Sequence, residues 1–159
     1  MVDVHPKAIR SKNMRAIRSK NTKPEVYIRK LLHRIGFRFR IHPSNLPVKA
    51  DIFLPRYNAV IWINGCFWHA HDCYLFKYPT TNPEFWREKL DTNKARDVEK
   101  AKLIAQLGFK QLTVWECSLK GKKRMSEVDL MERLEEWILA IDYNCEIDNK
   151  GIRRHDNYI

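Results

Sequence analysis

Acidic residues are scarce where basic ones are dense. The first fifty positions hold only Asp3 and Glu25 against thirteen Lys and Arg, whereas residues 51–159 carry seventeen of each sign. The whole net charge of +11 therefore sits in the first third of the chain. That is not an evenly charged surface, and it points to a face or arm that binds a polyanion. Long apolar runs are also lacking: no stretch approaches the ~20 residues a membrane span needs. The segment Met1–Lys7 has no apolar signal core. Both absences lead us to expect a protein of the cytosol or the prokaryotic cytoplasm, with no membrane partner. Without a secretion signal, the four cysteines read as metal ligands or buried hydrophobes rather than a disulfide framework. There is no internal repeat and no low-complexity run. What remains, 159 residues at 44% hydrophobic and 31% charged, has the make-up of one globular domain.

In the basic segment 1–20, Lys7, Arg10, Lys12, Arg15, Arg18 and Lys20 recur about every three residues, with Ile9, Met14 and Ile17 between them. The spacing allows a short helix with several cationic faces suited to phosphates, and equally a loosely ordered basic tail. Thr22-Lys23-Pro24-Glu25 opens the first helix: Thr22 as N-cap, Pro24 in the first turn, Glu25 completing a capping box. Val26, Ile28, Leu31, Leu32 and Ile35 supply its apolar face, and Gly36 ends it. Phe37–Ile41 alternates apolar and arginine, which predicts a half-exposed strand. Lys49–Leu54 predicts a second strand with Asp51 near its start, and residues 59–63 a third, apolar on both faces and hence central. A long helix from Pro83 to about Leu107, a strand over Lys110–Trp115 and an amphipathic helix from Ser126 to about Ile141 follow. The order predicts an α/β fold, a three-layer sandwich on a mixed central sheet. We expect an arm over 1–20, a catalytic unit over 21–141, and a polar tail over 142–159.

Chemistry gathers in residues 64–73, Asn-Gly-Cys-Phe-Trp-His-Ala-His-Asp-Cys, directly after the third strand. Cys66, His71 and Cys73 lie there, and Cys117 lies just past the strand Lys110–Trp115. Together they make a Cys₃His set suited to one closed, structural zinc ion. Cys145 falls outside the set and reads as a small buried hydrophobe. Asp51, at the start of a strand antiparallel to 59–63, can meet Ile63, Asn64 and His69. A carboxylate and a main-chain carbonyl suit Mg²⁺, and His69 beside them could accept a proton from water. Asp51 could equally cap a loop, and His69 could face solvent. Phe67 and Trp68, with Trp86 across the cleft, could wedge between bases or pack inward, although two neighbours at a loop tip cannot easily both do so.

Gly65-Cys66-Phe67-Trp68-His69, His71-Asp72-Cys73, Phe76-Lys77, Glu84-Phe85-Trp86 and Trp115-Glu116-Cys117 resemble the very short patch repair (Vsr) endonucleases. The likeness runs from Arg10 to Ile138. It implies a restriction-endonuclease-like core and an enzyme that nicks DNA 5′ to the mismatched T of a T:G pair. Such nicks start the repair of deaminated 5-methylcytosine. It further implies that Asp51 and the carbonyl of residue 63 hold Mg²⁺ (two ions), that His69 is the general base, and that Glu25 assists the metal and its water. Phe67, Trp68 and Trp86 would enter the duplex from the major groove and Met14 from the minor groove, with Lys12 and Arg15 on the arm at the backbone. The best-known family pattern has Thr-His where this chain has Ile63-Asn64. The carbonyl survives, but Asn64 can only hydrogen-bond, which leaves the proton transfer to His69.

Two other readings compete with this one. A zinc-containing DNA-binding module would need the arm, rings and zinc but not Asp51. A restriction enzyme with the same core would cut matched duplex. The expected state is a monomer, since a T:G site lacks two-fold symmetry, and other mismatch-repair proteins are the expected partners.

Overall fold

The computed structural model describes residues 21–156. Lys12, Met14 and Arg15, placed by the sequence on an N-terminal arm, lie outside the described residues. Helix α1 spans Lys23–Arg34, and Thr22 Oγ1 accepts from the Glu25 N–H at 3.4 Å. The reciprocal half of the capping box is displaced: the Glu25 carboxylate accepts from the Asn21 N–H at 2.7 Å, one residue before the cap. At the other end Gly36 adopts φ +94°, and the Gly36 and Phe37 N–H groups return to His33 and Leu32 carbonyls in a Schellman closure.

Strands β1 (Ile52–Leu54), β2 (Ala59–Asn64), β3 (Lys110–Trp115), β4 (Cys145–Asp148) and β5 (Gly151–Arg154) form one sheet in sequence order. β1 and β4 pair antiparallel with β2 and β5, while β2, β3 and β4 are mutually parallel. The parallel pairs require crossovers, supplied by helices α2 (Pro83–Gln106) and α3 (Glu127–Ala140). Alternation along β2 sends Ala59, Ile61 and Ile63 into a core shared with Ile28, Leu31 and Leu32 of α1 and Leu130, Leu134 and Trp137 of α3. Val60 and Trp62 go to the other face, against Ile104 of α2. The result is a helix pair, a mixed sheet and one long helix in three layers, as the element order predicts. Lys110 ties β3 to the end of α3, its ammonium donating to the carbonyls of Trp137, Ile138 and Ile141. Among the described residues no helix is long and apolar enough to cross a membrane.

Two expectations are corrected. Phe37–Ile41 makes only one bridge, Arg40 to Phe53, instead of a strand. The alternation holds from Phe37 to Arg40, with Phe37 buried and Arg38 and Arg40 exposed, and fails at Ile41, which is exposed as well. However, β1 offers three residues, and His42 at φ 45° turns the chain out of the extended region. Residues 142–159, read as a polar tail, instead contain β4 and β5, which complete the sheet. Cys145 and Ile147 are buried there, Glu146 between them pairs with Arg153 across the hairpin, and Asp148, also buried, pairs with the same arginine.

Candidate active site and metal-binding cluster

Asp51 lies just before β1, where the antiparallel ladder would otherwise continue. The Ala50 carbonyl is taken by the His42 N–H at 3.0 Å, and Asp51 Oδ2 accepts from the Ile63 N–H at 2.8 Å. Ile63 lies two residues beyond the last β1–β2 pair, Ile52 with Ile61; an extended residue directs its N–H and C=O to the same edge of its strand, which puts the Ile63 carbonyl on the Asp51 side. Burial pushes the Asp51 carboxyl up to about 7; the Ile63 hydrogen bond opposes this, the Glu25 charge adds to it, and Lys100 and His69 partly offset it. Glu25 is itself 3% exposed, and its Oε2 also accepts from Arg29 Nη2 at 3.1 Å. The two acids thus stand close together, one neutralised by arginine and the other destabilised as an anion.

Both acids line a cleft of about 1250 Å³ together with Ile63, Asn64, Trp68 and His69. The opposite wall is α2, where Lys89, Asn93, Asp97 and Ala101 recur at intervals of four. Only Leu90, Ala101 and Ile104 of that helix are buried. Its inward stripe is therefore polar over most of its length, and Lys89, Arg96 and Lys100 give the cleft a cationic wall. His69 Nδ1 forms a short hydrogen bond to Asp97 Oδ2. Against a carboxylate this nitrogen must donate, which leaves Nε2 as the acceptor of the neutral ring. Asp97 was not legible as a functional residue, because it is one acid among many on a charged helix. The four-residue spacing of Lys89, Asn93, Asp97 and Ala101 was the available signal.

The second centre lies where β2 and β3 end side by side, Asn64 opposite Trp115. The chain folds back tightly after β2, the His71 N–H reaching the Cys66 carbonyl at 2.9 Å. Cys66, His71, Cys73 and Cys117 come together with their donor atoms all within 4.8 Å, a group that could hold a metal ion. His71 Nδ1 lies 3.5 Å from Cys66 Sγ and 3.7 Å from Cys117 Sγ. The His71 ring stacks on Trp115 at 4.0 Å, and its Nε2 faces Asp148 Oδ2 at 4.0 Å. The Cys66 thiol shares its proton with Cys117, which raises Cys66 and brings Cys117 down to about 5. Cys145 stays apart in the core below α3, where burial pushes its thiol up to about 11.

Phe67, Trp68 and Trp86 meet edge-on or tilted, with centroids 5.1 to 6.0 Å apart. All three are only partly buried, and Phe85 beside them is 60% exposed. The rings therefore form a displayed cluster at the rim.

A sequence model described as DNA mismatch endonuclease Vsr matches residues 2–75. The chain is 45% identical to the DNA mismatch endonuclease Vsr of Escherichia coli (strain K12) over 152 residues, covering 96% of this chain and 97% of that protein. It is 43% identical to the type II nicking enzyme V.NmeAIP of Neisseria meningitidis serogroup A over 122 residues, covering 77% and 87% of the two chains. It is 42% identical to the type II nicking enzyme V.XorIIP of Xanthomonas oryzae pv. oryzae over 106 residues, covering 67% and 78%.

Proposed function

The chain belongs to the Vsr DNA mismatch endonuclease family, and from that premise we propose that it is a DNA endonuclease that nicks one strand 5′ to the mismatched T of a T:G pair. The observation that carries the proposal is the meeting of Asp51, Ile63 and the His69–Asp97 pair in one cleft rimmed by Phe67, Trp68 and Trp86. Relatives named as nicking enzymes favour cleavage of one strand over two.

The donor set fits Mg²⁺. Asp51 uses Oδ2 for the Ile63 N–H, which leaves Oδ1 and the Ile63 carbonyl as oxygen donors, with Glu25 beside them. When bound, Mg²⁺ supplies charge neutralisation on the phosphate and acidifies water. The chain's own residues do the rest. His69 Nε2 accepts the proton of the attacking water, and Asp97 holds the imidazole in that tautomer and stabilises it once protonated. Lys89, Arg96 and Lys100 orient the phosphodiester. Asn64 hydrogen-bonds the phosphate or the water and transfers no proton. At the other centre the thiolate–imidazole set fits zinc: ligands at about 2.1–2.3 Å in a tetrahedron stand roughly 3.5–3.8 Å apart, as His71 Nδ1 does from the Cys66 and Cys117 sulfurs. That ion would staple the loop after β2 to the end of β3.

The rest of the reading follows the family. The core is restriction-endonuclease-like, with Asp51 at the antiparallel edge of the mixed sheet. The basic arm over 1–20 grips backbone phosphate through Lys12 and Arg15 and inserts Met14 from the minor groove. The enzyme acts as a monomer in the prokaryotic cytoplasm and hands its product to other repair proteins.

The test is a nicking assay on two duplexes that differ only in one T:G or C:G pair, with Mg²⁺ or EDTA. A nick 5′ to the mismatched T, absent from the matched duplex and without metal, is expected. Equal cutting of both would point to a restriction enzyme, and no cutting of either to a binding module.

Two variants probe the parts. Asp97→Asn keeps size and hydrogen bonding but loses the charge that orients His69; nicking should slow by about 10²- to 10⁴-fold with duplex affinity unchanged. An unchanged rate would remove His69–Asp97 from the mechanism. Trp68→Ala removes the ring while Asn93 still holds the Trp68 carbonyl at 3.0 Å, so the loop keeps its tie to α2. Preference for T:G over matched duplex should fall roughly five- to hundredfold, the value of about 1–3 kcal/mol of base stacking. Equal weakening on both duplexes would show that the ring only packs.

A further inference from the structure

Glu25, His42 and Asp51 come from three separate segments: the first turn of α1, the loop after the Arg40 bridge, and the residue before β1. One donor atom from each lies within 4.8 Å of the others. Glu25 and Asp51 line the open cleft, and His42 joins them from the loop side, held by its N–H to the Ala50 carbonyl. Around one divalent ion with bonds of about 2.0–2.2 Å, ligand atoms stand roughly 3 Å apart in cis and 4.4 Å in trans. The 4.8 Å limit on their separations places the three donors within side-chain reach of one such centre.

The geometry points to a mixed nitrogen–oxygen metal position at the inner end of the cleft, with Glu25, His42 and Asp51 as ligands. It is separate from the all-oxygen position formed by Asp51 and the Ile63 carbonyl. An imidazole ligand shifts preference away from Mg²⁺, which favours oxygen and keeps several waters, toward divalent transition ions. The inference rests on the nuclease reading in that the two positions share Asp51. It adds that this enzyme takes a transition ion at the inner position, with His42 as the residue that selects it.

The probe is Mn²⁺ bound to the full chain, which is first given one equivalent of Zn²⁺ to fill the thiolate cluster. Pulsed electron paramagnetic resonance reports a nitrogen bonded directly to Mn²⁺. Nitrogen modulation is expected in the wild type and in His69→Gln, and its loss in His42→Gln. In that variant Mn²⁺ affinity should drop by about tenfold or more, while Mg²⁺ affinity changes little. Should His42→Gln fail to fold by circular dichroism, the wild-type and His69→Gln spectra still decide. If Mn²⁺ binding depends on Asp51 (removed in Asp51→Ala) but shows no nitrogen modulation, or modulation that survives His42→Gln, the inference is overturned and the nuclease reading stands. Mn²⁺ binding indifferent to Asp51→Ala overturns both.

Discussion

Asp51→Asn is expected to abolish nicking and, at the same time, to stabilise the metal-free protein. The loss of activity follows from removing the carboxylate that lies against the Ile63 backbone at the head of the cleft. Charge neutralisation by a bound cation is worth several kcal/mol in the transition state, so a drop of about 10³-fold or more is expected. Duplex binding should persist, because the cationic wall of α2 is untouched. The gain in stability follows from linkage. The Asp51 carboxyl is raised from its ordinary 3.8 to about 7 in the folded chain, chiefly by burial. The folded state therefore holds this proton more tightly than the unfolded state does, and stability falls as pH rises from about 4 to about 7. Above that window the full penalty remains, up to about 4 kcal/mol at neutral pH. Asparagine is close in shape, can still accept from the Ile63 N–H, and carries no charge to bury. Thermal melts of both metal-free proteins at pH 5 and pH 8 would show an advantage for Asn that widens at pH 8. Mg²⁺ should then raise the wild-type melting temperature and leave the variant's unchanged. A variant less stable than wild type at pH 8 would contradict the electrostatic account of Asp51.

What could be read from the sequence was what local rules control. Thr22, Pro24 and Gly36 bound α1 because caps, first-turn proline and left-handed glycine act within one turn of the helix. β2 was legible as a short apolar run buried on both faces, and β3 as the strand that follows Gly108 at the end of the long helix. The Cys/His group was legible because three of its members share eight residues and the fourth directly follows a strand. Parallel pairing of β2 with β3 then brings the two ends together. The partner of His69 was not legible, since it depends on which side of a 24-residue helix with a weak apolar stripe turns inward. His42 was hidden for a related reason: its approach to Asp51 follows from main-chain pairing of Arg40 with Phe53 and of His42 with Ala50, which side-chain patterning does not encode. β4 and β5 escaped because Glu146, Asp148, Arg153 and Arg154 look like solvent-exposed tail. Their order comes from pairing with β3 and from ion pairs that exist only once the hairpin has formed.

Cys117→Ser is expected to release the zinc and to cost more stability than any other single change of similar size. Cys66, His71 and Cys73 all ride on the loop after β2, so Cys117 is the one member of the group that comes from beyond β3. Without it the remaining donors can hold an ion only within their own loop, and the connection across the sheet is lost. Cys117 is fully buried, its N–H points at Cys66 Sγ at 3.3 Å, and Trp115 two residues earlier carries the His71 ring on its face. A disturbed cluster therefore reaches the end of β3 and, through the turn at Gly65, the His69 side of the cleft. The domain keeps its own core, so the loss should be on the order of 4 kcal/mol rather than the ~10–16 kcal/mol that zinc supplies to isolated zinc-finger peptides. For a chain of this size that lowers the melting temperature by about 8–16 °C. Zinc per chain after gel filtration should fall from one to none, and a chelator should bring the wild type down to the level of the variant while leaving the variant unmoved. Cys145→Ser supplies the contrast, since Cys145 is equally buried but lies in the core below α3. It should lose stability through its buried hydroxyl yet keep its zinc. A Cys117→Ser protein that still carries one zinc per chain would remove Cys117 from the ligand set and with it the staple between the loop and β3.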